Sequence, residues 1–255
     1  MRESALIDEL DEILALEAYS EVDPSANGLQ IGDGTGSVER VAAAVDGVVA
    51  TAEAAAEWGA DLLVVHHGLS WGGIDRITGR THERVATLIG NDVDLYAAHL
   101  PLDGQPELGN AAGVADCLGL VDRAEFGELG PVTIGQRGRL PAPQSAGEIE
   151  ATLADALDHG GRGIRTLDFG PAQIESVAIL TGSGTDWFDE AVEAGVDAFI
   201  TGEGEGNLYH MARESGVTVF LGGHYATETF GVRALADRIG EWGAETTVID
   251  EPTGL

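Results

Sequence analysis

The chain has 255 residues, one cysteine and a formal net charge of −31, from 44 acidic and 13 basic residues. These values exclude an intrachain disulfide, a metal site built from several thiolates, and nonspecific nucleic-acid binding, which needs clustered basic side chains. No apolar run approaches the roughly 20 residues of a membrane span, and the acidic N-terminus lacks the basic start of a secretory signal. We therefore expect a soluble, cytoplasmic protein without membrane contact.

The acidic residues are spread over every predicted helix, and all 13 basic residues are arginines. Such a surface repels itself in dilute buffer, whereas in molar salt the screening length falls to about 3 Å. The charge therefore indicates a protein from a high-salt cell. It reports on the solvent more than on a binding partner.

Helices and strands alternate along most of the chain. The pattern opens with a helix over residues 3 to 17, which a polar, glycine-rich segment follows. The first alternating run comprises strand 38–46, helix 48–59, strand 61–67, helix 81–91, strand 93–99 and helix 107–119. After a Gly- and Pro-rich stretch over 127–143, the second run comprises helix 146–157, strand 176–182, helix 185–195, strand 196–202, helix 207–216, strand 217–224 and helix 226–240. This alternation predicts an α/β fold with helix-covered sheets.

The two runs resemble each other in sequence. "AAAEWGADLLVVHHG" (54–68) aligns with "EAVEAGVDAFITGEG" (190–204), so that Gly59 falls on Gly195, Asp61 on Asp197 and Gly68 on Gly204. We interpret this as two related α/β lobes that arose by duplication. The alternative is that any two β-α-β units look similar. The predicted lobe 1 combines residues 1–126 with the C-terminal return 222–255, and lobe 2 is 127–221.

Three predicted strand ends carry side chains that can bind a metal: "HHG" from His66, "HLPLD" from His99, and "GGHYATE" ending at Glu228. Imidazoles and carboxylates suit Zn, Fe or Mn, and no thiolate is present to favour softer ions. Adjacent strand residues point to opposite faces, so His66 and His67 either follow the end of the strand or serve two ions. Asp103 and Glu228 can each bridge two ions. Five ligands from three segments therefore favour a dinuclear centre.

Each of these motifs also has an ordinary interpretation. A histidine pair can cap or hydrogen-bond, Asp103 before a glycine is a common turn residue, and Glu228 suits the first turn of a helix. Their shared position favours a functional role, because ligands of open α/β sheets bind beyond the carboxyl ends of the strands.

Six segments in this order carry a family resemblance that covers nearly the whole chain: "ANGLQIG", "LLVVHHGLSW", "AAHLPLD", "RGRLPAP", "DAFITGE" and "GGHYATETFGVRAL". The chain resembles the Nif-three-like family, the homologues of type 2 GTP cyclohydrolase I. The resemblance implies a two-lobed α/β fold, a centre of two divalent metal ions in the cleft between the lobes, and a ring-shaped homohexamer. The implied metal ligands are His66, His67, Asp103, His224 and Glu228. The short stretch 127–143 leaves no room for the domain that longer members insert, so the chain resembles the minimal form.

A metal-dependent hydrolase is the function that these residues favour, and the resemblance implies that it is of the GTP cyclohydrolase type, with a nucleotide or another small molecule as substrate. The catalytic candidates are Glu203, in "GEGEG", and His99, which the resemblance places near the metals. A solvated loop glutamate is the plainer interpretation of Glu203. No motif that reads guanine or a triphosphate is visible in the sequence. The alternative functions are a non-catalytic protein that binds or delivers metal, and a ring-shaped interaction scaffold.

Overall fold

The computed structural model describes residues 1–157 and 159–255. They form two compact units, unit 1 (Met1–Leu102 with Gly231–Glu251) and unit 2 (Asp103–Phe230 with Pro252–Leu255). Each unit contains one sheet with helices around it, so the predicted class of two helix-covered α/β lobes is confirmed. Within the described residues, no helix has both the length and the apolar character needed to cross a membrane.

Strands and helices follow the predicted alternation closely. The strands are β1 (Gly28–Ile31), β2 (Arg40–Asp46), β3 (Leu62–His67), β4 (Asp94–Ala97), β5 (Val121–Leu129), β6 (Val132–Gln144), β7 (Arg165–Leu167), β8 (Ile174–Ile179), β9 (Ala198–Thr201), β10 (Thr218–Leu221) and β11 (Glu245–Val248). The helices are α1 (Glu3–Ile13), α2 (Leu16–Tyr19), α3 (Val49–Trp58), α4 (Arg80–Gly90), α5 (Leu100–Gly104), α6 (Asn110–Cys117), α7 (Ala146–Ala156), α8 (Phe188–Glu193), α9 (Leu208–Ser215), α10 (His224–Thr227) and α11 (Thr229–Glu241). A 3-10 turn, Thr185–Trp187, precedes α8.

The sheet of unit 1 has the strand order β1-β4-β3-β2-β11. Strands β11, β2, β3 and β4 are parallel, and β1 pairs with β4 in the antiparallel direction. Leu62 to Val65 of β3 are fully buried, as expected for a central parallel strand that is covered on both faces. The parallel direction brings the ends of β2, β3 and β4 to one edge of the sheet.

The sheet of unit 2 has the order β5-β6-β8-β9-β10-β7. Strands β8, β9 and β10 are parallel, and the other pairings are antiparallel. Helices α6 and α7 contribute buried side chains to its core, among them Val114, Ile149 and Leu153. Because α6 packs on this core, unit 2 begins at Asp103, whereas the predicted boundary lay after residue 126. The second division falls after Phe230, against 221 in the prediction.

One sequence prediction of local structure is wrong. The predicted helix 3–17 ends at Ile13, because Ala15 adopts a left-handed backbone with a φ of 50°, and α2 begins after it. The Gly- and Pro-rich stretch 127–143, for which the sequence pattern predicted no element, contains the end of β5 and nearly all of β6. Its glycines serve close packing, since a Cβ on Gly135 would lie 2.4 Å from the carbonyl oxygen of Ile179.

Candidate metal centre

Three histidines of unit 1 lie together beyond the carboxyl ends of β3 and β4. His66 and His67 are the last residues of β3, and His99 follows β4. The ring centroid of His66 lies 4.6 Å from that of His67 and 5.2 Å from that of His99. One nitrogen atom from each ring lies within 4.8 Å of the other two, which is a spacing that one metal ion can span.

Strand alternation does not separate His66 from His67, although the sequence pattern predicts that it should. The Nδ1 atom of His66 donates to the carbonyl oxygen of Ala98, 2.9 Å away, just past β4. The Nδ1 atom of His67 donates to Oδ1 of Asp46, 2.9 Å away, at the end of β2. The two rings are therefore held by the strands on either side of β3, and they meet beyond its end.

His99 is fixed by a buried carboxylate on the chain segment that precedes β1. Its Nδ1 atom donates to Oδ1 of Asp23 at 3.0 Å, and its backbone N–H donates to Oδ1 of Asn27 at 2.8 Å. Burial would raise the pKa of Asp23, but the hydrogen bonds from His99, Asn27 and the Ser25 amide outweigh it and lower the pKa. Asp23 thus stays an anion that holds the His99 ring.

His66, His67 and His99 all use Nδ1 for a hydrogen bond to an acceptor. In the neutral ring this leaves the lone pair on Nε2. Metal-binding histidines almost always donate their second nitrogen to a carboxylate or a carbonyl, which fixes the tautomer and the ring orientation. The cluster therefore has the form of a prepared metal site.

In unit 2, the buried carboxylate of Asp103 accepts two hydrogen bonds. Its Oδ1 atom accepts from Nδ2 of Asn110 at 2.8 Å and from the hydroxyl of Thr181 at 3.0 Å. The residue is 7% exposed. These bonds orient the carboxylate, which a metal ligand requires.

His224 lies between two carboxylates of unit 2. Its Nδ1 atom is 2.8 Å from Oε1 of Glu203, and its Nε2 atom is 3.2 Å from Oε1 of Glu228. The hydrogen bond with Glu228 raises the pKa of His224 to about 9, against the opposite effect of burial and with smaller contributions from Glu203. A divalent ion would have to displace this proton, so metal binding at His224 releases it.

A glycine leaves the space for this carboxylate. Gly182 follows β8 and has a φ of 63°. A Cβ at this position would lie 2.4 Å from Oε1 of Glu228 and 3.2 Å from Nε2 of His224. Only glycine therefore allows the acid and the imidazole to approach the backbone here.

The structure brings together His66, His67 and His99 within unit 1, and His224, Glu228 and Glu203 within unit 2. Sequence reasoning missed Asp46 and Asp23 as partners of the histidines. Asp46 carried a usable signal, because it ends the strand next to β3 and therefore lies at the same sheet edge. Asn110 and Thr181, which hold Asp103, had no comparable signal.

Comparisons with known proteins agree with one another. The chain matches the Duf34/NIF3 (NGG1p interacting factor 3) family over residues 1–253. It is 58% identical over 233 residues to the GTP cyclohydrolase 1 type 2 homolog of Halobacterium salinarum, which covers 91% of this chain and 92% of the relative. The corresponding protein of Deinococcus radiodurans is 46% identical over 252 residues and covers 96% of this chain and 92% of its own length.

A solved structure supports the same grouping. The crystal structure of TTHA1606 from Thermus thermophilus superposes with a TM-score of 0.90 at 36% identity, with complete coverage of both chains. The family match and the relatives thus extend over both units. This chain belongs to the Duf34/NIF3 family.

Proposed function

We propose that the chain is a metal-dependent hydrolase in which His66, His67, Asp103, His224 and Glu228 bind two divalent ions, Zn, Fe or Mn. The observation that carries the proposal is the state of the imidazoles. In His66, His67, His99 and His224 alike, Nδ1 is engaged by a carboxylate or a carbonyl oxygen. In His66 and His67 this presents Nε2 to an ion, as metal-binding histidines do, whereas at His224 the ion has to displace the proton shared with Glu228.

The remaining donors suit such ions. Asp103 and Glu228 are 7% and 3% exposed, and buried carboxylates are costly unless a positive charge compensates them. The set combines imidazole nitrogen with carboxylate oxygen and contains no sulfur, which fits divalent Zn, Fe and Mn. When bound, such ions supply Lewis acidity and lower the pKa of water toward neutrality.

We assign the proton-transfer roles to His99 and Glu203. Asp23 holds Nδ1–H of His99, so that Nε2 is the nitrogen that can take up or release a proton. In an aspartate–histidine pair of this kind, the carboxylate orients the ring and stabilises its charged form. Glu203 contacts His224 and has a half-exposed side chain, which lets its carboxylate exchange protons with solvent.

The substrate in this proposal is a nucleotide or another small molecule. The name that the relatives carry, GTP cyclohydrolase 1 type 2 homolog, supports a nucleotide as the first compound to test. We further propose assembly into a ring-shaped homohexamer and a cytoplasmic location in a high-salt cell, which the charge of −31 supports. Light scattering and thermal melts in molar and dilute potassium chloride test these two points.

The decisive experiment measures metal and turnover on the same sample. Protein reconstituted with Zn²⁺, Fe²⁺ or Mn²⁺ in molar potassium chloride is analysed for bound metal by mass spectrometry and for formate release from GTP. We expect two ions per chain and turnover of GTP or of another small-molecule substrate. Fully metallated protein that turns over neither nucleoside triphosphates nor simple phosphate esters and amides, yet hands its ions to a chelator, would establish a metal carrier instead.

A further inference from the structure

The segment of residues 69–84 in unit 1 differs from the rest of the chain in charge. It contains Arg76, Arg80 and Arg84 against two acids, Asp75 and Glu83, which gives +1. Since the whole chain carries −31, the remaining residues carry −32. A locally basic segment on so acidic a protein complements an anionic ligand.

The same segment exposes large apolar side chains. Trp71, Ile74 and Ile77 are 45%, 43% and 52% exposed. Isolated exposed apolar residues are ordinary, but a contiguous group marks a binding surface. This group follows directly on β3, the strand that ends in the paired histidines.

Trp71 connects the segment to the histidine cluster. Its ring centroid lies 4.8 Å from that of His99, with an edge-to-face geometry, and 5.9 Å from that of His67. The backbone on both sides is fixed, because Ser70 accepts a hydrogen bond from the Ala26 amide and Gly72 donates to the carbonyl of Pro24. The half-exposed indole thus lies beside His67, a candidate metal ligand, and His99, the proposed proton-transfer residue.

An apolar cavity of about 580 Å³ is lined in part by the same segment, including Ser70, the residue before Trp71. Leu29, Leu69, Ile74, Ile77 and Ile89 contribute to its lining. Asn27 also lines it, and the same side chain accepts the hydrogen bond from the His99 backbone. A cavity of this size and apolar character, with a few polar groups at one end, is typical of small-molecule sites.

A second cavity of about 610 Å³ adjoins the first. The two share Leu69 and Ile74, and the second adds Gly73, Asp75, Arg76 and Thr81. The apolar space therefore continues into one that holds a carboxylate and a guanidinium group, and the guanidinium can bind a carboxylate, phosphate or sulfonate through paired hydrogen bonds.

We infer that residues 69–84 and the two cavities bind a substrate that has an apolar, aromatic body and an anionic group. The body occupies the apolar cavity against Trp71, the anionic group contacts Arg76, and the reacting end reaches the histidine cluster. This inference rests on the proposed hydrolase function and names the class of its substrate.

A pair of fluorescent dyes provides the test. 8-Anilinonaphthalene-1-sulfonate has an aromatic body with an anionic group, and N-phenyl-1-naphthylamine has the same body without the charge. Both are titrated into the metallated protein in molar potassium chloride. We expect Ile77→Ser to weaken both dyes by about tenfold, because it removes an apolar contact of roughly one side chain. Arg76→Gln should weaken only the sulfonate, by about three- to tenfold.

Two variants in unit 2 are the matched controls. Val121→Ser changes a β-branched residue of similar exposure, and Arg213→Gln changes an arginine near the end of α9. Both should leave the affinity for both dyes within about twofold, since they lie outside the cavities. If Ile77→Ser and Arg76→Gln behave like these controls, the inference is overturned.

Two further measurements distinguish failure of this inference from failure of the hydrolase proposal, and a substrate site from a subunit contact. Bound metal is counted on the wild type and on every variant. A wild type that binds no metal would refute the hydrolase proposal, whatever the dye affinities are. Sedimentation is recorded in parallel. If Ile77→Ser dissociates an oligomer while the dye affinities stay unchanged, the apolar surface is a subunit contact and not a substrate site.

Discussion

The strands of unit 1 run β1-β4-β3-β2 across the sheet, and those of unit 2 run β7-β10-β9-β8 in the same order. In each case an antiparallel strand pairs with the outer strand of a parallel run, with β4 in unit 1 and with β10 in unit 2. A helix precedes that antiparallel strand in both units, α1 in one and α7 in the other. The similarity seen in the sequence therefore extends to topology, which supports the interpretation of a duplication.

Details of the backbone repeat as well. Oδ2 of Asp61 accepts from the amides of Glu39 and Arg40, and Oδ2 of Asp197 accepts from the amides of Glu175 and Ser176. In both units this aspartate precedes the middle parallel strand and fixes the start of its neighbour. The sequence alignment had placed these two acids on each other.

The residues at the ends of the corresponding strands differ, although the backbone arrangement of the two units is the same. The alignment that places Gly68 on Gly204 also places His66 on Gly202 and His67 on Glu203. Unit 1 thus presents imidazoles at the end of its middle strand, whereas unit 2 presents a glycine and a carboxylate that holds His224. The two units share the backbone arrangement, but their candidate donors differ. Unit 1 presents imidazole nitrogens, and unit 2 presents mainly carboxylates.

The largest effect is expected from the carboxylate of unit 2. Glu228→Ala should abolish metal binding, because it removes a proposed ligand of both ions. The loss in affinity should exceed the roughly 10- to 100-fold cost of losing only a hydrogen-bond partner. Glu203→Gln is the matched variant and should keep its metal, while turnover falls by about 10²–10⁴-fold if Glu203 carries a proton. Metal analysis and single-substrate kinetics on both proteins decide the matter, and retention of two ions by Glu228→Ala would contradict it.

A smaller effect on metal affinity is expected from removing the carboxylate that holds a histidine ring through Nδ1 in each unit. Asp46→Ala releases Nδ1 of His67, and Glu203→Ala releases Nδ1 of His224. Each should weaken metal binding by about 10- to 100-fold through loss of ring orientation. Competition with a chelating dye measures both affinities, and Asp33→Ala, an exposed acid that bonds only Thr35 among the described residues, is the control. Unequal losses would show that one unit dominates the centre.

The repeated aspartates should matter equally for folding. Asp61→Ala and Asp197→Ala each remove hydrogen bonds from two backbone amides to an ionised acceptor, which costs about 2 kcal/mol of unfolding free energy. Urea unfolding in molar salt measures both. Asp61→Asn and Asp197→Asn keep an acceptor and should cost less. A loss confined to one of the alanine variants would show that the two backbone arrangements are not energetically equivalent.

The smallest effect concerns a position at which the units differ in charge. Asp94 of unit 1 corresponds to Thr218 of unit 2, because each donates its amide to the carbonyl of the repeated aspartate. Burial and the neighbouring Glu3 carboxyl raise the pKa of Asp94 to about 7, with Asp33 contributing. A raised folded-state pKa means that its contribution to stability is complete below about pH 4 and is lost as the pH rises through 7.

Asp94→Thr copies the residue of unit 2 and should flatten this part of the pH profile. Denaturation midpoints at pH 5 and pH 8, at constant salt, measure the change. We expect the variant to gain stability relative to wild type at pH 8 and to lose that advantage at pH 5. Parallel profiles for the two proteins would refute the assignment.

The location of the candidate site at strand ends could be predicted, because the strands themselves have a clear sequence pattern. The run Leu62–Val65 is apolar and ends in two β-branched valines, so the position of His66 and His67 at its end followed from the sequence. The partners could not be predicted, since the contact of Asp46 with His67 depends on the register of two strands. Strands β1, β5, β6, β7 and β11 were not predicted. Glycines in β1 and in the β5–β6 hairpin interrupt the pattern, and β7 and β11 are edge strands of only three or four residues.

Strand β11 pairs with β2 along Glu245–Val248, although about 200 residues separate the two strands in the chain. During synthesis, the strands of unit 2 therefore leave the ribosome before the sheet of unit 1 can be completed. Until then β2 keeps an open edge, which is a site for wrong pairing with other chains. The dense negative charge of this protein opposes such encounters in the unfinished molecule as well as in the folded one.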